Sequence, residues 1–215
     1  MAPKLRIVLD GSQERDRDPC ACFAGIDEVG RGPLAGPVTV AAVVLDKQNI
    51  PQGLCDSKLL PTVRREELFA QIMATAQVGI ACAGPEEIDR LNIRGATLKA
   101  MRRALAALPC IPDHALIDGR DVPPGLAIRA NAVVKGDSAY ACIAAASIVA
   151  KVIRDRSMRF AALHYPEYGF DHNVGYPTQE HLTALDRFGP CPIHRMSFAP
   201  LRSWLMKGEE DPLLT

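Results

Sequence analysis

The sequence predicts one α/β domain: a central mixed sheet of about five strands flanked by helices, with a C-terminal helical segment. Three observations carry this. The chain has 215 residues, 48% of them apolar, enough to bury one sizeable core and too few for a second full domain. Val38 to Leu45 is apolar on both faces, as a strand in the middle of a sheet must be, and Ala141 to Ala150 is apolar almost all round, as a helix buried under a sheet must be. Strands come first, then strands mixed with helices, then helices, which fits a mixed sheet better than a strictly alternating doubly wound one.

Taken in order, Cys22 to Asp27 reads as a first strand and Val38 to Leu45 as a second. A polar connection, Cys55 to Leu60, leads to Pro61, where helices readily begin, and Leu68, Ile72, Met73 and Ala76 trace a helical face. Val78 to Ala83 is a third strand. Pro85 to Asp89 reads as a short helix, followed by a second whose Leu98, Met101, Leu105 and Leu108 form a stripe ending at Pro109. His114 to Asp118 and Ala127 to Val134 are two further strands. The longest helix is expected over Ala139 to Phe160, turning basic in its second half. Tyr165 to Tyr176 reads as a Pro/Gly/Tyr-rich loop, and Thr178 as the cap of a helix that stops at Gly189-Pro190.

The expected boundaries are a flexible N-terminal extension over 1–21, a single folded domain over 22–207 and an acidic frayed tail over 208–215. Formal net charge is zero, so bulk charge neither demands nor excludes a nucleic acid, although basic residues outnumber acids from Arg90 to Lys135 and again from Lys151 to Lys207. Seven scattered cysteines suit reduced thiols in a cytoplasmic protein, and the lone Cys20-x-Cys22 lacks a second ligand pair for zinc. No stretch is long and apolar enough to span a bilayer, and the opening residues lack the apolar core of a signal peptide.

Chemistry concentrates in Gly25-Ile-Asp27-Glu28-Val-Gly30-Arg31-Gly32-Pro-Leu-Ala-Gly36-Pro-Val38. Two adjacent carboxylates end a short apolar run and are followed by a glycine turn where the backbone can approach a ligand closely. Because neighbouring strand residues point to opposite faces, Asp27 and Glu28 share one ligand only if Glu28 lies where the strand gives way to the turn. Arg31 and the bare amides of Gly30 and Gly32 suit a phosphate or a sugar hydroxyl. Alone, this stretch reads better as a surface turn closing a hairpin, because acidic residues beside glycine are common in turns.

Two more acids fall at similar places, Asp118 at the end of a strand and Asp137 just before the long helix. If the strands are neighbours, four carboxylates converge, and they repel strongly unless cations bind among them. Oxygen-only ligands select Mg²⁺ or Mn²⁺, and a pair of such ions roughly 4 Å apart is the arrangement used for phosphodiester cleavage. Taken singly, Asp118 before Gly119 is also a turn former and Asp137-Ser138 also a helix cap.

These blocks, with Asp56-Ser57-Lys58-Leu59, Ile143 to Lys151, Tyr168-Gly-Phe170, Gly175-Tyr176-Pro177-Thr178, His194-Arg195 and Ser197-Phe198, resemble bacterial ribonuclease HII, a type 2 ribonuclease H family, in order from Phe23 to Leu201. The resemblance implies a ribonuclease H-like fold and a metal-dependent endonuclease that hydrolyses the RNA strand of RNA/DNA hybrids; a monomer is the expected state. It further implies nicking 5′ to ribonucleotides embedded in duplex DNA, leaving 3′-hydroxyl and 5′-phosphate ends, and a role in ribonucleotide excision and replication primer removal. Carried over by motif, Asp27, Glu28, Asp118 and Asp137 are the catalytic acids holding two Mn²⁺ or Mg²⁺ ions. Gly30, Arg31 and Gly32 recognise the 2′-hydroxyl and adjoining phosphates, and Tyr176 stacks on the following sugar.

Lys58 then looks like a phosphate contact, with a solvated lysine as its plain alternative. Ser147, Lys151 and Arg154 share one helix face that can meet phosphates, although Lys151 and Asp155 are equally spaced for an i,i+4 ion pair. Leu59, Val174 and Met196 stand where relatives often carry a basic residue. Ribonuclease HIII is the rival within the fold, but it resembles a longer chain with an additional N-terminal domain, and the Gly-Arg-Gly turn favours HII. A non-catalytic hybrid-binding module is the alternative from another class, and it predicts at least one acid replaced, whereas all four stand. A nucleotide enzyme with Gly-x-Gly-x-x-Gly opening a helix is excluded by the spacing from Gly30 to Gly36.

Overall fold

The computed structural model describes residues 9–18 and 21–203, with the side chains of residues 15 and 16 excepted. Cys20 and the expected tail over 208–215 lie outside the described residues. Five strands form one sheet: β1 (Phe23–Val29), β2 (Val38–Val44), β3 (Gln77–Ala83), β4 (His114–Asp118) and β5 (Arg129–Val133), in the order β3-β2-β1-β4-β5. β1 pairs antiparallel with β2 and parallel with β4, and β4 pairs parallel with β5, so the sheet is mixed. The helices are α1 (Ser12–Arg17), α2 (Thr62–Thr75), α3 (Pro85–Ala106), α4 (Ala141–His164), α5 (Phe170–Asn173) and α6 (Gln179–Phe188).

The chain divides into two compact units. The first comprises Met1–Val29, Thr39–Cys82 and Leu98–Ile153. Its core joins Ala41 and Val43 of β2, Leu68 and Ile72 of α2, and Ala144 to Val152 of α4. Every residue from Ala141 to Ala150 is buried, as the all-round apolar run requires. Gly25 sets how closely α4 approaches the sheet: a Cβ there would fall on the Cys142 backbone. Gly79 of β3 does the same for α3, where a Cβ would meet the Ala104 carbonyl. That close approach corrects the phase of the α3 stripe. Ala96, Ala100, Met101, Ala104 and Leu108 are buried, whereas Leu98 and Leu105 are only half-buried.

Within the stretch expected to be a flexible extension, Leu9 and Glu14 are buried; Leu9 bridges Leu54, and Glu14 Oε1 accepts from the Cys142 amide at 2.8 Å, capping α4 from a distance in sequence.

The second unit comprises Gly30–Val38, Ala83–Thr97 and Arg154–Thr215. Its core gathers Leu34, Met158, Tyr168, Phe170, Leu185 and Leu201. The two helices expected after Pro85 are continuous in α3 except at Asn92, whose φ of 57° and ψ of 166° kink the chain, and whose side chain accepts from the Gly95 amide to restart the helix. The expected loop from Tyr165 is more ordered than its composition suggests, containing a 3-10 turn (Pro166–Tyr168) and α5. Thr178 caps α6 through the His181 amide, as expected.

Candidate active site

The acids of the first unit are delivered by the carboxyl ends of two adjacent parallel strands. Ile26 of β1 lies beside Ile117 of β4, so Asp27 and Asp118 follow one another into the same rim of the sheet. β1 does not yield to the turn after Asp27, because Glu28 remains in the ladder opposite Val40 and Val29 opposite Thr39. The condition under which both acids face one ligand from a turn is therefore not met in that form. Alternation puts Asp27 inside, 5% exposed, and leaves Glu28 half-exposed at the margin.

After β5 the chain returns through a 3-10 turn (Gly136–Ser138) whose Gly136 amide donates to Asp118 Oδ1 at 2.7 Å. This bond ties the end of β4 to the start of α4 and carries buried Asp137 towards Asp118. A Cβ on Gly136 would meet the tip of the Ile143 side chain, so any larger residue at this crossing must push that side chain aside.

The electrostatics make these acids one cluster. Asp27 is raised well above the usual carboxylate range by burial first, then by the charges of Glu28 and Asp118; hydrogen bonds from Ser147 and the Glu28 amide oppose the shift. Asp137 is also raised, by burial, then by Asp56 and Asp118, with Lys58 opposing. Asp118 thus presses on both. Asp27, Asp118 and Asp137 each have a local donor that orients the carboxylate: the Glu28 amide at 2.7 Å on Asp27, the Gly136 amide on Asp118, and Ser138 Oγ at 3.4 Å on Asp137. Among the described residues, no three Asp, Glu, His or Cys side chains are drawn together at metal-ligating distance. The donor set is nonetheless all carboxylate oxygen under mutual repulsion, which fits a hard divalent cation.

Ser147, expected at a phosphate, is buried on α4, where its Oγ bonds Ser57 Oγ at 2.9 Å and supports Asp27. Lys58 is exposed on a 3-10 turn (Ser57–Leu59), with its amide on Asp56 Oδ1 at 2.9 Å. Lys151 lies one helical turn beyond Ser147 and is half-buried. Sequence reasoning placed Asp56 and Ser57 in a polar connection and in a block of the family resemblance, but gave them no role of their own. Their signal was an acid and a hydroxyl side by side between two apolar segments.

In the second unit, the Gly30-Arg31-Gly32 turn is built on two buried arginines. Arg195, fully buried, donates from Nη2 to the Gly30 carbonyl at 2.6 Å, from Nη1 to that of Arg31 at 3.1 Å and from Nε to that of Gly36 at 2.9 Å. Arg154 donates to the carbonyls of Ala35, Pro37 and Val174 at 3.2, 2.9 and 3.0 Å. Arg154, expected to face phosphates, is therefore fully buried and serves the backbone instead. With the carbonyls of Gly30 and Arg31 drawn onto a guanidinium, the planar trans peptide aims the amides of Arg31 and Gly32 the opposite way. Gly30 has φ 93°, and a Cβ there would strike the Arg154 side chain. Tyr176 is 44% exposed, and its ring edge lies 3.5 Å from where a Gly32 Cβ would be.

Residues 24–201 match the family described as Ribonuclease HII. The chain belongs to the ribonuclease HII family. A ribonuclease HII of Rhizobium johnstonii is 56% identical over 192 residues, covering 89% of this chain and 84% of the relative. One from Cereibacter sphaeroides is 58% identical over 184 residues, covering 86% and 87%. The crystal structure of ribonuclease H2 from Pyrococcus horikoshii superposes with a TM-score of 0.73 at 28% identity, covering 88% of this chain and 99% of that one. The fold is accordingly ribonuclease H-like, and the protein is an endoribonuclease of the ribonuclease H type. Ribonucleases H act on RNA/DNA hybrids and depend on divalent metals. Among the described residues, no helix is long and apolar enough to cross a membrane.

Proposed function

We propose that this ribonuclease HII cuts the RNA strand of RNA/DNA hybrids and nicks duplex DNA on the 5′ side of an embedded ribonucleotide, leaving 3′-hydroxyl and 5′-phosphate ends. The observation that carries the site is the position of Asp118, whose charge bears on both Asp27 and Asp137 while the Gly136 amide fixes its orientation. Asp27, Glu28, Asp118 and Asp137 would hold two Mg²⁺ or Mn²⁺ ions. Bound there, such ions supply Lewis acidity that offsets negative charge on the phosphate oxygens.

The protein's own contribution is preorganisation. Ser147 and the Glu28 amide hold Asp27 in the orientation that keeps its carboxylate available. In the second unit, the outward amides of Arg31 and Gly32 and the Arg31 side chain are assigned to the 2′-hydroxyl and adjoining phosphates, and the exposed face of Tyr176 to the next sugar. Lys58 and Lys151 are assigned to the phosphate backbone, while Ser147 acts through Asp27. The cellular role is ribonucleotide excision and primer removal by a cytoplasmic monomer.

The test is cleavage of a labelled DNA duplex carrying one ribonucleotide, with Mg²⁺, with Mn²⁺ and with chelator, for the intact protein and Asp118→Asn. Metal-dependent nicking 5′ to the ribonucleotide, abolished by the substitution, is expected. Binding without cutting under either metal would overturn the assignment.

A further inference from the structure

We infer that His181 and His194 are positioning residues whose paired imidazoles hold the main chain of Tyr176 at a fixed distance from the glycine turn. The inference rests on the reading of Tyr176 as the residue that stacks on substrate.

The proton directions along the pair are determined by its two ends. The Cys191 amide lies 2.9 Å from His194 Nδ1 and can only donate, so that nitrogen carries a lone pair. The Cys191 carbonyl is 3.2 Å from the same nitrogen, but a proton placed there would confront the amide hydrogen. Neutral His194 therefore carries its hydrogen on Nε2, 2.9 Å from His181 Nε2, which accepts it. His181 is left with its hydrogen on Nδ1, and 2.9 Å away stands the Tyr176 carbonyl, which can only accept. Three bonds run in one direction through two neutral rings, and every junction pairs one donor with one acceptor.

The surroundings keep the rings neutral. Both histidines are buried, with the Tyr168 ring edge-on to His194 at 5.0 Å and the Phe170 ring edge-on to His181 at 5.3 Å. Burial lowers the pKa of both, that of His194 to about 4.

The far end of the relay is sewn to the glycine loop. His194 bridges Ala35, the Gly36 amide donates to the Ile193 carbonyl at 2.8 Å, and the Arg195 amide donates to the Leu34 carbonyl at 2.8 Å. The relay therefore joins the backbone that carries Gly32 to the backbone that carries Tyr176, and acts beside the Leu34 amide bond to the Gly175 carbonyl at 2.8 Å and the Arg154 bridge between Ala35 and Val174 in setting the gap at Tyr176 itself. The width of that gap decides which sugar and base fit beside the turn.

The test compares His181→Phe, which keeps the aromatic packing but removes the donor, with His181→Asn, whose side-chain amide restores a donor near Nδ1. His181→Phe removes both bonds made by that ring; loss of the one that holds the Tyr176 carbonyl, about 1 kcal/mol, should raise KM for the single-ribonucleotide duplex about fivefold with little change in kcat. His181→Asn should recover most of that loss, and in a Tyr176→Ala background His181→Phe should add nothing further. A purely structural role would lower the melting temperature and the active fraction while leaving KM unmoved. An unchanged KM, or a KM effect that persists undiminished without the Tyr176 ring, overturns the inference. If Tyr176→Ala itself leaves KM unchanged, the stacking reading has failed. Imidazole ¹⁵N spectra then decide the relay separately: His181 protonated on Nδ1 and His194 on Nε2 support it, and any other pair of tautomers refutes it.

Discussion

Arg195→Lys keeps the charge and discards the fork. The guanidinium serves three carbonyls, of Gly30, Arg31 and Gly36, at 2.6, 3.1 and 2.9 Å, from a fully buried position beside the Phe198 ring. An ammonium is a point donor on a flexible stem and can satisfy one of them well. Two bonds from a charged donor at about 1.5–3 kcal/mol each give a gross loss of about 3–6 kcal/mol. Part of this is offset, because burial and the neighbouring Arg154 charge already push the Arg195 pKa down to about 9. With that offset taken as about 1–2 kcal/mol, the net destabilisation is about 2–4 kcal/mol. For a chain of this size that corresponds to a fall of about 4–16 °C in melting temperature. Released carbonyls also let the Arg31 and Gly32 amides swing, and misplacement at a recognition turn costs about 10–100-fold in kcat/KM. Thermal unfolding by circular dichroism and steady-state cleavage of a single-ribonucleotide duplex measure the two effects. A melting temperature within about 2 °C of the parent and kcat/KM within about twofold would refute the buttress argument.

Other substitutions probe other links. Gly25→Ala places a methyl on the α4 backbone and should cost about 3 kcal/mol or more, read as a lower urea midpoint with unchanged slope. Ser147→Ala removes a hydrogen bond that orients Asp27 and should lower activity about tenfold without loss of fold, checked by single-turnover kinetics beside circular dichroism. His194 supplies a pH dependence. Its pKa falls from 6.5 unfolded to about 4 folded, so its stabilisation is fully present above pH 6.5 and lost as pH drops towards 4, about 3 kcal/mol in all. Exposed His172 works in the opposite sense, its pKa raised by hydrogen bonds to Glu180 and Asp171, so the comparison is between the parent and His194→Gln. Melts from pH 8 to 4 should show a shallower decline in the variant, and parallel curves would refute the assignment.

How much of this was legible in sequence depended on how local its cause was. β2 and the first half of α4 were readable because burial on every side leaves an unbroken apolar run. The four acids were readable because strand ends and a helix start are local features. Arg154 and Arg195 were not: each looks like an ordinary surface cation until a glycine loop distant in sequence brings its carbonyls to the guanidinium. The same holds for Asp56, whose influence on Asp137 crosses some eighty residues of chain. In α3 the large residues drew attention, whereas Gly79 lets the alanines, not the leucines, face the sheet. The end of β1 was misjudged because a turn rich in glycine suggests an early stop at Asp27, but pairing of Glu28 with Val40 carries the strand onward.

Placing Arg154 and Arg195 beneath the glycine turn also gives it a field of its own. Their acceptors along Ala35, Gly36 and Pro37 are neutral carbonyls taken alternately, so two positive charges stand behind amides that face outward. Mobile ions screen exposed charges such as Arg31 over about 8–10 Å, but they do not penetrate to buried ones. Added salt should therefore weaken the long-range attraction of the protein for a duplex while leaving the short-range pull of this turn on a phosphate largely intact. The turn would go on selecting under conditions in which the surface no longer attracts.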